Sequence, residues 1–385
     1  MTEKLYYTDP RQTVFSARVL ACERVRDRWE TVLDRTAFFP EGGGQGGDSG
    51  TLGGVRVLDT HERDGEVVHW CDSQLPAGET VEGRVNAALR LARMQIHTGE
   101  HIVSGTAHRE WGCENVGFHM TEDGAVIDFD RELDESRLAA LEYMANEAVW
   151  QDLSVNVLWP TDGELAALTF RQKKELSGAV RLVEIPGVDL CACCAPHVPG
   201  TGSVGQIRFT SAMRHRGGVR LTMVAGRAAL EDARRLHGSA EAISRLFSSP
   251  REDIAAAAEK FAAQKAAAEQ RCAELEKRYT AFRAASLPGA EGNLACFEDP
   301  SLSAAALRDL AEALKEKCSG VAGVFAGQGT EWRCVLASKG TDLRAYGKTF
   351  FAALGGRGGG SPAMVQGSVN ASREEIEGLM YGKER

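Results

Sequence analysis

The stretch RMQIHTGEHIVSG, residues 93–105, decides which structure surrounds it and which chemistry it can support. It lies in a pattern with helical spacing, residues 85–110, in which Ile96 and Val103 can share an apolar side. His97 and His101 are four positions apart, so both rings project from one face of that helix, one turn apart. This spacing is a standard way to present two imidazoles to zinc. The stretch therefore predicts half of a metal site, with ordinary structural histidines as the alternative.

A second cluster, CACCAPHVPGTG at residues 191–202, predicts the other half. Counting back from His197, Cys193 stands at C-x-x-x-H spacing and Cys194 at C-x-x-H spacing. Two histidines from a helix and a Cys/His pair from a loop make a nitrogen and sulfur set, which suits zinc better than magnesium or calcium. A closed shell of four protein ligands is typical of structural zinc, whereas a catalytic site keeps one position for water.

The string HTGEH, residues 97–101, is also H-x-x-E-H, the signature of inverted zinc metallopeptidases, whose glutamate activates a zinc-bound water. Such an enzyme needs an acidic third ligand on a later helix. The later cluster in this chain consists of cysteine and histidine, which disfavours a peptidase.

Length and composition bound the class of protein. The 385 residues, 43% apolar and 26% charged, predict two or three globular domains of ordinary composition. The N-terminus lacks the basic start and apolar run of a signal peptide, and no apolar stretch is long enough for a bilayer, so we expect no membrane partner. Ten cysteines, mostly scattered singly, favour a reducing cytoplasm over a disulfide framework.

The net charge of −9 argues against a generally basic surface but leaves room for a local basic patch that meets a nucleic acid. A solvated strand edge is the alternative explanation for the same residues. The arginines concerned are Arg208, Arg214, Arg216, Arg220 and Arg227.

The order of patterns along the chain predicts an α+β multidomain fold. Residues 1–88 show short strands interrupted by AFFPEGGGQGGDSGTLGG, which predicts a β-barrel-like domain with a glycine-rich loop. Residues 89–227 mix helices and strands in an α/β domain that contains both halves of the metal site. Residues 228–287, rich in Ala, Glu, Lys and Arg, predict a helical linker or arm broken near SSPRED. Residues 288–385 predict an α/β domain that includes a second glycine-rich loop, LGGRGGGSPAMVQGS.

Four strings stand in one order along residues 30–227: FFPEGGGQGGDSGTL, RMQIHTGEHIVSG, NVGFHMTEDGAVIDFD and CCAPHVPGTGSVGQIRF. The first resembles a P-E-G-G-G-Q-x-x-D-x-G loop and the second an H-x-x-x-H helix. The last resembles a C-x-x-x-H element followed by T-G-x-[IV]-G. In this order the strings resemble the alanyl-tRNA editing domains, and the third is similar to a segment of the free-standing editing proteins.

The string LGGRGGGSPAMVQGS resembles the domain that follows the catalytic unit of DHH phosphoesterases and ends alanyl-tRNA synthetases, a DHHA1-like domain. Because the chain has no Asp-His-His triplet and starts at the β-domain, we expect neither phosphoesterase chemistry nor an aminoacylation domain. The architecture as a whole resembles the long form of the free-standing alanyl-tRNA editing proteins.

The resemblance implies a zinc site in the residue 89–227 domain, which would then be a tRNA editing domain. Its implied ligands are His97, His101, Cys193 and His197. The family usually has glycines at the positions of Cys194 and Ala195, so Cys191 or Cys194 could compete with Cys193 for the metal.

The reaction implied by the resemblance is hydrolysis of the ester that joins a wrong amino acid, serine before glycine, to the 3′-terminal adenosine of tRNA(Ala). Editing is needed because a pocket built for alanine cannot strongly exclude a near-isostere that adds a hydroxyl. In this scheme zinc exchanges or expands its shell to hold a water and lowers the pKa of that water. A non-catalytic tRNA-binding module with structural zinc and an H-x-x-E-H peptidase are the alternatives.

Further residues are predicted to act at the site. Glu100 could orient water as a general base, although we favour a charge on the helix surface. The loop EGGGQGGDSG brings backbone amides and the side-chain amide of Gln45 against the aminoacyl-adenosine end, with a bulged hairpin loop as the alternative. The predicted catalytic residues are His97, His101, Glu100 and Gln45. The predicted substrate contacts nearby are Gly42, Gly43, Gly44, Thr98 and His119.

The C-terminal string GGRGGGS could bring backbone amides and a guanidinium onto phosphate. Without a DHH domain, we expect this region to contact tRNA, to form a homodimer, or both. The residues concerned are Arg357, Gly358, Gly359 and Gly360.

Overall fold

The computed structural model describes residues 2–121, 124–172 and 178–382, and it divides into two compact units, Met1–Ala240 and Glu241–Arg385. Each unit contains helices and sheets, so the mixed α+β, multidomain class predicted from the sequence is confirmed. The finer division into four domains stays a prediction. Glu122 and Asp123, which belong to the string NVGFHMTEDGAVIDFD, lie outside the described residues.

The first unit begins with strands and continues as alternating helices and strands. Its described strands are β1 (Glu3–Lys4), β2 (Val14–Val25), β3 (Arg28–Leu33), β4 (Arg35–Thr36), β5 (Gly50–Leu52), β6 (Val55–Arg63), β7 (Glu66–Cys71), β8 (Thr80–Val85), β9 (Asn115–Met120), β10 (Ala125–Phe129), β11 (Asn156–Leu158), β12 (Leu182–Ile185), β13 (Asp189–Ala192), β14 (Ile207–His215) and β15 (Gly218–Ala225). Its helices are α1 (Ala87–Trp111), α2 (Glu135–Trp150), α3 (Asp162–Ala167) and α4 (Arg227–Phe247), the last of which contains the boundary to the second unit.

Six of these strands form a sheet that closes on itself in the order β2-β3-β7-β6-β5-β8, with β8 paired to β2. Along β8, buried Val81 and Val85 alternate with exposed Glu82 and Arg84. This alternation fills the interior with one face of the strand while the other face meets water. The chain between β4 and β5, residues 37–49, is a loop that carries the glycine-rich motif.

Helix α1 carries the first half of the predicted metal site. It begins after Asn86, whose side chain accepts a hydrogen bond from the Leu89 N–H, and it ends at Gly112 in the left-handed conformation, with φ 61°. Residues 96–107 are all buried, because α2, β13 and the sheet β14-β15-β10-β9 surround them. The helix predicted for residues 85–110 is therefore confirmed, and the structure also encloses its polar side.

The second half of the predicted metal site follows β13, the last strand of the sheet β11-β12-β13. The loop after β13 is tied to the end of α2 by Thr201, which is fully buried. The Thr201 hydroxyl donates to the Ala148 carbonyl at 2.6 Å and accepts from the Leu153 N–H at 2.8 Å. The T-G-x-[IV]-G string thus anchors the loop that carries the ligands.

The second unit consists of a long helix and a layered α/β part. Its described strands are β16 (Leu294–Glu298), β17 (Val321–Gln328), β18 (Glu331–Ser338), β19 (Arg357–Gly360) and β20 (Met364–Asn370). Its helices are α5 (Ile254–Ser286), α6 (Ala304–Leu314), α7 (Leu343–Ala353) and α8 (Arg373–Tyr381). The strands form one sheet in the order β16-β17-β18-β20-β19. The helical break predicted near SSPRED lies between α4 and α5, as expected.

The string LGGRGGGSPAMVQGS is not the loop that its glycines predicted. Residues Arg357–Gly360 form β19, which pairs antiparallel with β20 at the edge of the sheet. A side chain at Gly358 would place its Cβ 2.4 Å from the Phe351 ring, and one at Gly367 would place it 2.7 Å from the same ring. The glycines of this hairpin therefore make room for an aromatic ring that lies on the strands.

In the described residues, every helix is too short or too polar to cross a bilayer.

Candidate metal centre

The structure brings the four predicted ligands together. His97 and His101 lie on α1, and Cys193 and His197 lie on the loop after β13, yet one ligand atom from each falls within 4.8 Å of the others. The Cys193 Sγ is 3.3 Å from His197 Nε2 and 3.6 Å from His97 Nε2. The histidines are buried and Cys193 is half-buried. These four residues are called the ligand group below.

Each histidine of the ligand group has a polar partner on its Nδ1 atom. His97 Nδ1 is 2.9 Å from Gln45 Oε1, His101 Nδ1 is 2.8 Å from Asp189 Oδ2, and His197 Nδ1 is 3.0 Å from Thr98 Oγ1. A carboxylate and an amide oxygen are acceptors, so Nδ1 carries the proton in the first two pairs. The Nε2 lone pairs are then available inside the group, which is the arrangement of metal-ligating histidines with outer partners.

The donor set fits a thiophilic, borderline ion such as zinc. Three imidazole nitrogens and one thiol at these separations match a tetrahedral site with nitrogen and sulfur ligands. Burial raises the pKa of the Cys193 thiol, so the thiolate needs a cation beside it to form at neutral pH. A second cluster, His101 with Asp189 and Cys191, shares one histidine with the ligand group, but its Asp189 oxygens already accept hydrogen bonds from His101 and Arg171.

The neighbouring cysteines lie differently from Cys193. Cys194 is exposed, and its Sγ lies beside the backbone of Gly42 and Gly43. Cys191 is buried on β13, with its Sγ 3.7 Å from the Ala192 carbonyl. Neither belongs to the four-residue group that contains Cys193.

The glycine-rich loop lies against the ligand group. Gly42 and Gln45 pair through two backbone hydrogen bonds of 3.0 Å, which form a tight turn. At Gly44 the backbone is left-handed, with φ +83°, and a Cβ would lie 2.7 Å from the Phe118 carbonyl oxygen. Only glycine fits there, because both the conformation and the space exclude a side chain. The Gln45 side chain is fully buried, and its Nε2 has no hydrogen-bond partner among the described residues.

A buried ion pair joins this loop to α1, and the sequence patterns did not predict it. The Arg90 guanidinium contacts the Asp48 carboxylate through Nε at 2.9 Å and through Nη2, which also donates to the Ala37 carbonyl at 2.6 Å. Asp48 also accepts from the Phe39 N–H at 2.7 Å. The only sequence signal was the aspartate of the P-E-G-G-G-Q-x-x-D-x-G string, whose role the string does not reveal.

Glu100 is not the helix-surface charge that we favoured from the sequence. It is fully buried, and its Oε1 accepts from Ser104 Oγ at 2.7 Å and from Asn115 Nδ2 at 2.6 Å. Its Oε2 lies 4.0 Å from His101 Nε2. The expectation was wrong because strand β9, which supplies Asn115, covers the side of α1 that helical spacing left open.

The other predicted substrate contacts are spread more widely. Thr98 is fully buried, and its hydroxyl contacts His197 Nδ1 and accepts from the Val198 N–H at 3.3 Å. His119 is exposed on β9, whereas its neighbour Phe118 lies with its ring centroid 5.1 Å from that of His97. Arg357 to Gly360 form the edge strand β19 of the second unit.

Most arginines of the predicted basic patch are paired with carboxylates. Arg220 binds Asp128 through two hydrogen bonds of 2.7 Å. The other pairs are Arg208 with Glu142 at 3.4 Å, Arg214 with Glu132 at 3.4 Å and Arg227 with Glu231 at 3.1 Å. The positive charge that the sequence placed on this stretch is therefore largely balanced.

Comparisons with known proteins agree with the motifs. The family model of the threonyl and alanyl tRNA synthetase second additional domain matches residues 180–221, which include Cys193 and His197. The alanyl-tRNA editing protein AlaX-L of Pyrococcus horikoshii is 34% identical over 218 residues, which are 54% of this chain and 54% of the relative. The alanine–tRNA ligases of Natronomonas pharaonis and Pyrococcus abyssi are 33% and 29% identical, over 75% and 98% of this chain.

These alignments cover 33% and 43% of the two ligases, so the chain spans about a third to a half of the length of these relatives. Among solved structures, the C-Ala domain of the Aquifex aeolicus alanyl-tRNA synthetase matches 25% of this chain and 94% of that domain, at 18% identity and a TM-score of 0.21. At that TM-score the match carries no conclusion about the fold.

Residues 180–221, which supply Cys193 and His197 of the ligand group, are thus similar to the second additional domain of threonyl- and alanyl-tRNA synthetases. More narrowly, the chain is an AlaX-like homologue of the alanyl-tRNA editing proteins and of alanine–tRNA ligases, as the sequence motifs indicated.

Proposed function

We propose that this protein is a zinc-dependent hydrolase that deacylates mischarged tRNA(Ala), with Ser-tRNA(Ala) as the preferred substrate before Gly-tRNA(Ala). The observation that carries the proposal is the ligand group, in which three imidazole Nε2 atoms and one thiol meet while every Nδ1 is held by an outer partner. The relationship to an alanyl-tRNA editing protein supports the choice of substrate.

Zinc, when bound by these four residues, supplies a Lewis acid that polarises the ester carbonyl and increases the acidity of water. Gln45 holds the His97 ring through Oε1 and keeps its Nε2 amide as a donor for an oxygen of the substrate. Asp189 and Thr98 hold the other two rings, so the ligand nitrogens are oriented before a metal or a substrate arrives.

Glu100 is proposed to take a proton from the attacking water. Its Oε2 lies 4.0 Å from a ligand nitrogen, while Ser104 and Asn115 fix the other oxygen of the carboxylate. A carboxylate held in this way can serve as a general base without moving. The Glu100→Gln variant tests this role, because an unchanged rate of deacylation would remove Glu100 from the mechanism.

The glycine loop is proposed to form the wall against which the aminoacyl-adenosine end binds. Gly43 lies beside His97 of the ligand group, and neither Gly42 nor Gly43 places a side chain in front of the backbone there. The edge strand β19, with Arg357, is proposed to contact tRNA phosphates or a second copy of the chain.

The deciding experiment measures release of amino acid from Ser-tRNA(Ala), Gly-tRNA(Ala) and Ala-tRNA(Ala) by the zinc-loaded protein. We expect fast hydrolysis of the mischarged forms and slow hydrolysis of Ala-tRNA(Ala), with activity lost in His97→Ala. The matched control is His108→Ala, which replaces an exposed histidine of the same helix whose partner is Glu114 at 2.9 Å.

Three outcomes would overturn the proposal. Binding of tRNA without hydrolysis would indicate a non-catalytic module, and cleavage of peptides alone would indicate a peptidase. Equal rates on Ala-tRNA(Ala) and Ser-tRNA(Ala) would refute proofreading.

Metal analysis tests the ligands separately: zinc should be lost in Cys193→Ala and retained in Cys194→Ala and Cys191→Ala.

A further inference from the structure

Two aromatic side chains from distant parts of the chain meet beside the ligand loop. Tyr7 lies in the short helical turn Leu5–Tyr7 before β2, and Trp159 lies between β11 and α3. Their ring centroids are 5.6 Å apart at an interplanar angle of 77°, so the rings form a corner. Trp159 is 51% exposed and Tyr7 is half-buried. Tyr7 and Trp159 are called the aromatic platform below.

Arg181 links the aromatic platform to the ligand group. Its guanidinium lies 5.4 Å from the centre of the Tyr7 ring, and its Nη1 donates to the Cys193 carbonyl at 2.6 Å and to the Ala195 carbonyl at 3.0 Å. Tyr6, the residue before Tyr7, packs against Ala195 and against Phe39 at the start of the glycine-rich loop. The platform therefore lies at the Cys193 side of the ligand group, in the same unit.

Two polar groups near the platform each have one atom without a hydrogen-bond partner among the described residues. Arg181 is 6% exposed, and its Nε has no hydrogen-bond partner among the described residues. No described carboxylate forms an ion pair with Arg181, whereas the nearby Lys4 is paired with Glu62 at 2.9 Å. The Tyr6 hydroxyl is likewise buried without a partner among the residues described. A buried guanidinium against the Tyr7 ring, whose neighbour is the exposed Trp159 indole, is suited to an aromatic, negatively charged ligand.

We propose that Tyr7 and Trp159 form a stacking surface for a base of the single-stranded 3′ end of the charged tRNA. This inference rests on the proposed function, because the ester to be cleaved is carried by the last nucleotide of that single strand. Unpaired bases stack on exposed aromatic rings with little dependence on sequence. A base held on the platform would bring the terminal ribose toward Cys193 and would limit the approach of the ester to one direction. Tyr7 and Trp159 are thus positioning residues for the substrate.

The residue after Trp159 supports a preformed surface. Pro160 restricts the backbone of Trp159 to extended conformations, and α3 begins after Thr161 with a capping box in which the Thr161 and Glu164 side chains each bind the other residue's backbone. The indole is therefore held on a short, constrained connection and does not lie on a long loop. Little conformational freedom is lost when a base binds to it.

The test uses the zinc-loaded full chain and two uncharged RNA minihelices of the acceptor stem. One minihelix keeps its unpaired 3′ nucleotides and the other lacks them. We expect Trp159→Ala and Tyr7→Ala to weaken binding of the complete minihelix about tenfold, since base stacking of this kind changes affinity by roughly 5- to 150-fold. Binding of the truncated minihelix should not change. Trp159→Phe and Tyr7→Phe, which keep a ring, should restore most of the affinity.

The matched control is Trp150→Ala, which removes a tryptophan that is 65% exposed on α2 and packs against Tyr143. It should bind both minihelices as the wild type does. In deacylation of Ser-tRNA(Ala), Trp159→Ala should raise KM and leave kcat at saturation unchanged. Because the Trp159 side chain is half exposed, we expect Trp159→Ala to fold as the wild type does. The test can therefore be decided on Trp159→Ala even if Tyr7→Ala does not fold.

The proposal would be overturned if Trp159→Ala bound the complete minihelix as tightly as the wild type, or if it lost the same affinity for both RNAs. Different results would refute the proposed function and the aromatic platform. A wild type that hydrolyses no charged tRNA refutes the proposed function, whereas an active wild type whose KM is unaffected by Trp159→Ala refutes the platform alone.

Discussion

Replacing Asp189 by Asn tests whether the ligand group is a metal site held by outer partners. The Asp189 carboxylate is buried, and it binds His101 Nδ1 at 2.8 Å and Arg171 at 2.7 and 2.9 Å. Burial alone would raise the pKa of Asp189, but the hydrogen bonds from His101 and Arg171 outweigh it and lower that pKa. The carboxylate is therefore ionised at neutral pH, and its contribution to stability is lost only as the pH falls through the depressed folded pKa.

Asp189→Asn keeps the shape and removes the charge, with two separate consequences. The His101 ring loses the partner that selects its tautomer, and loss of an outer partner costs about 10- to 100-fold in metal affinity, or roughly 1.4–2.7 kcal/mol. Arg171, whose side chain is 9% exposed, also loses its counter-charge. Breaking a buried pair in this way costs about 3–5 kcal/mol of folding free energy.

The two effects can be separated because only the first depends on zinc. Urea unfolding of the metal-free protein measures the loss of the ion pair, and zinc titration against a chromophoric chelator measures the change in affinity. The control is Arg171→Met, which removes the cation but leaves Asp189 in contact with His101. It should destabilise the metal-free protein and leave zinc affinity within about threefold of the wild type.

Wild-type zinc affinity in a folded Asp189→Asn protein would refute the role of Asp189 as an outer partner. Equal losses of zinc affinity in Asp189→Asn and Arg171→Met would show that general destabilisation explains the effect.

Three further predictions concern the loop, the pH dependence and the buried ion pair. Gly44→Ala should abolish zinc-dependent deacylation, because its Cβ would lie 2.7 Å from a carbonyl oxygen. The control is Gly54→Ala, where φ is +86° but the space is open. It should lose only about 1 kcal/mol of stability, from the left-handed backbone, and stay active. Burial lowers the pKa of His69 to about 4, so as the pH falls the unfolded chain binds a proton at His69 before the folded chain does. Between about pH 6.5 and about pH 4, the unfolding free energy should therefore fall by up to about 1.4 kcal/mol per pH unit. Urea unfolding at several pH values should show that the unfolding free energy of His69→Gln changes less steeply with pH than that of the wild type. Equal dependence on pH in the two proteins would contradict this. Asp48→Asn leaves Arg90 buried without its counter-charge and should lower the unfolding free energy by about 3–5 kcal/mol; a loss below about 1 kcal/mol would contradict this role.

Local patterns were sufficient for the helices. Apolar spacing predicted α1, and the break between α4 and α5 followed from the short polar segment SSPRED, which contains Pro250. These signals are local because a helix satisfies its hydrogen bonds within one segment. The ligand pair on α1 was visible for the same reason.

Patterns failed where distant segments decide the environment. Glycine content predicted a loop at residues 354–368, but pairing with β20 makes Arg357–Gly360 a strand, and a strand is formed by partners that the segment itself does not contain. Helical spacing left Glu100 on an open side that β9 covers. The partnership of Asp189 with His101 spans 88 positions, and no local spacing could reveal it.

By itself, the sequence determined the residue types of the metal site, the helical H-x-x-x-H and loop C-x-x-x-H spacings that carry them, and the order of motifs shared with alanyl-tRNA editing proteins. The resemblance implied Cys193, but spacing allowed Cys194 as well. Tertiary structure decided that Cys193 joins the group, because local spacing cannot show which sulfur meets the histidines of α1. It also decided which atom of each histidine faces inward. The choice depends on Gln45, Asp189 and Thr98, and the fold brings these hydrogen-bond partners to the Nδ1 atoms only when the glycine-rich loop, helix α1 and strand β13 pack together.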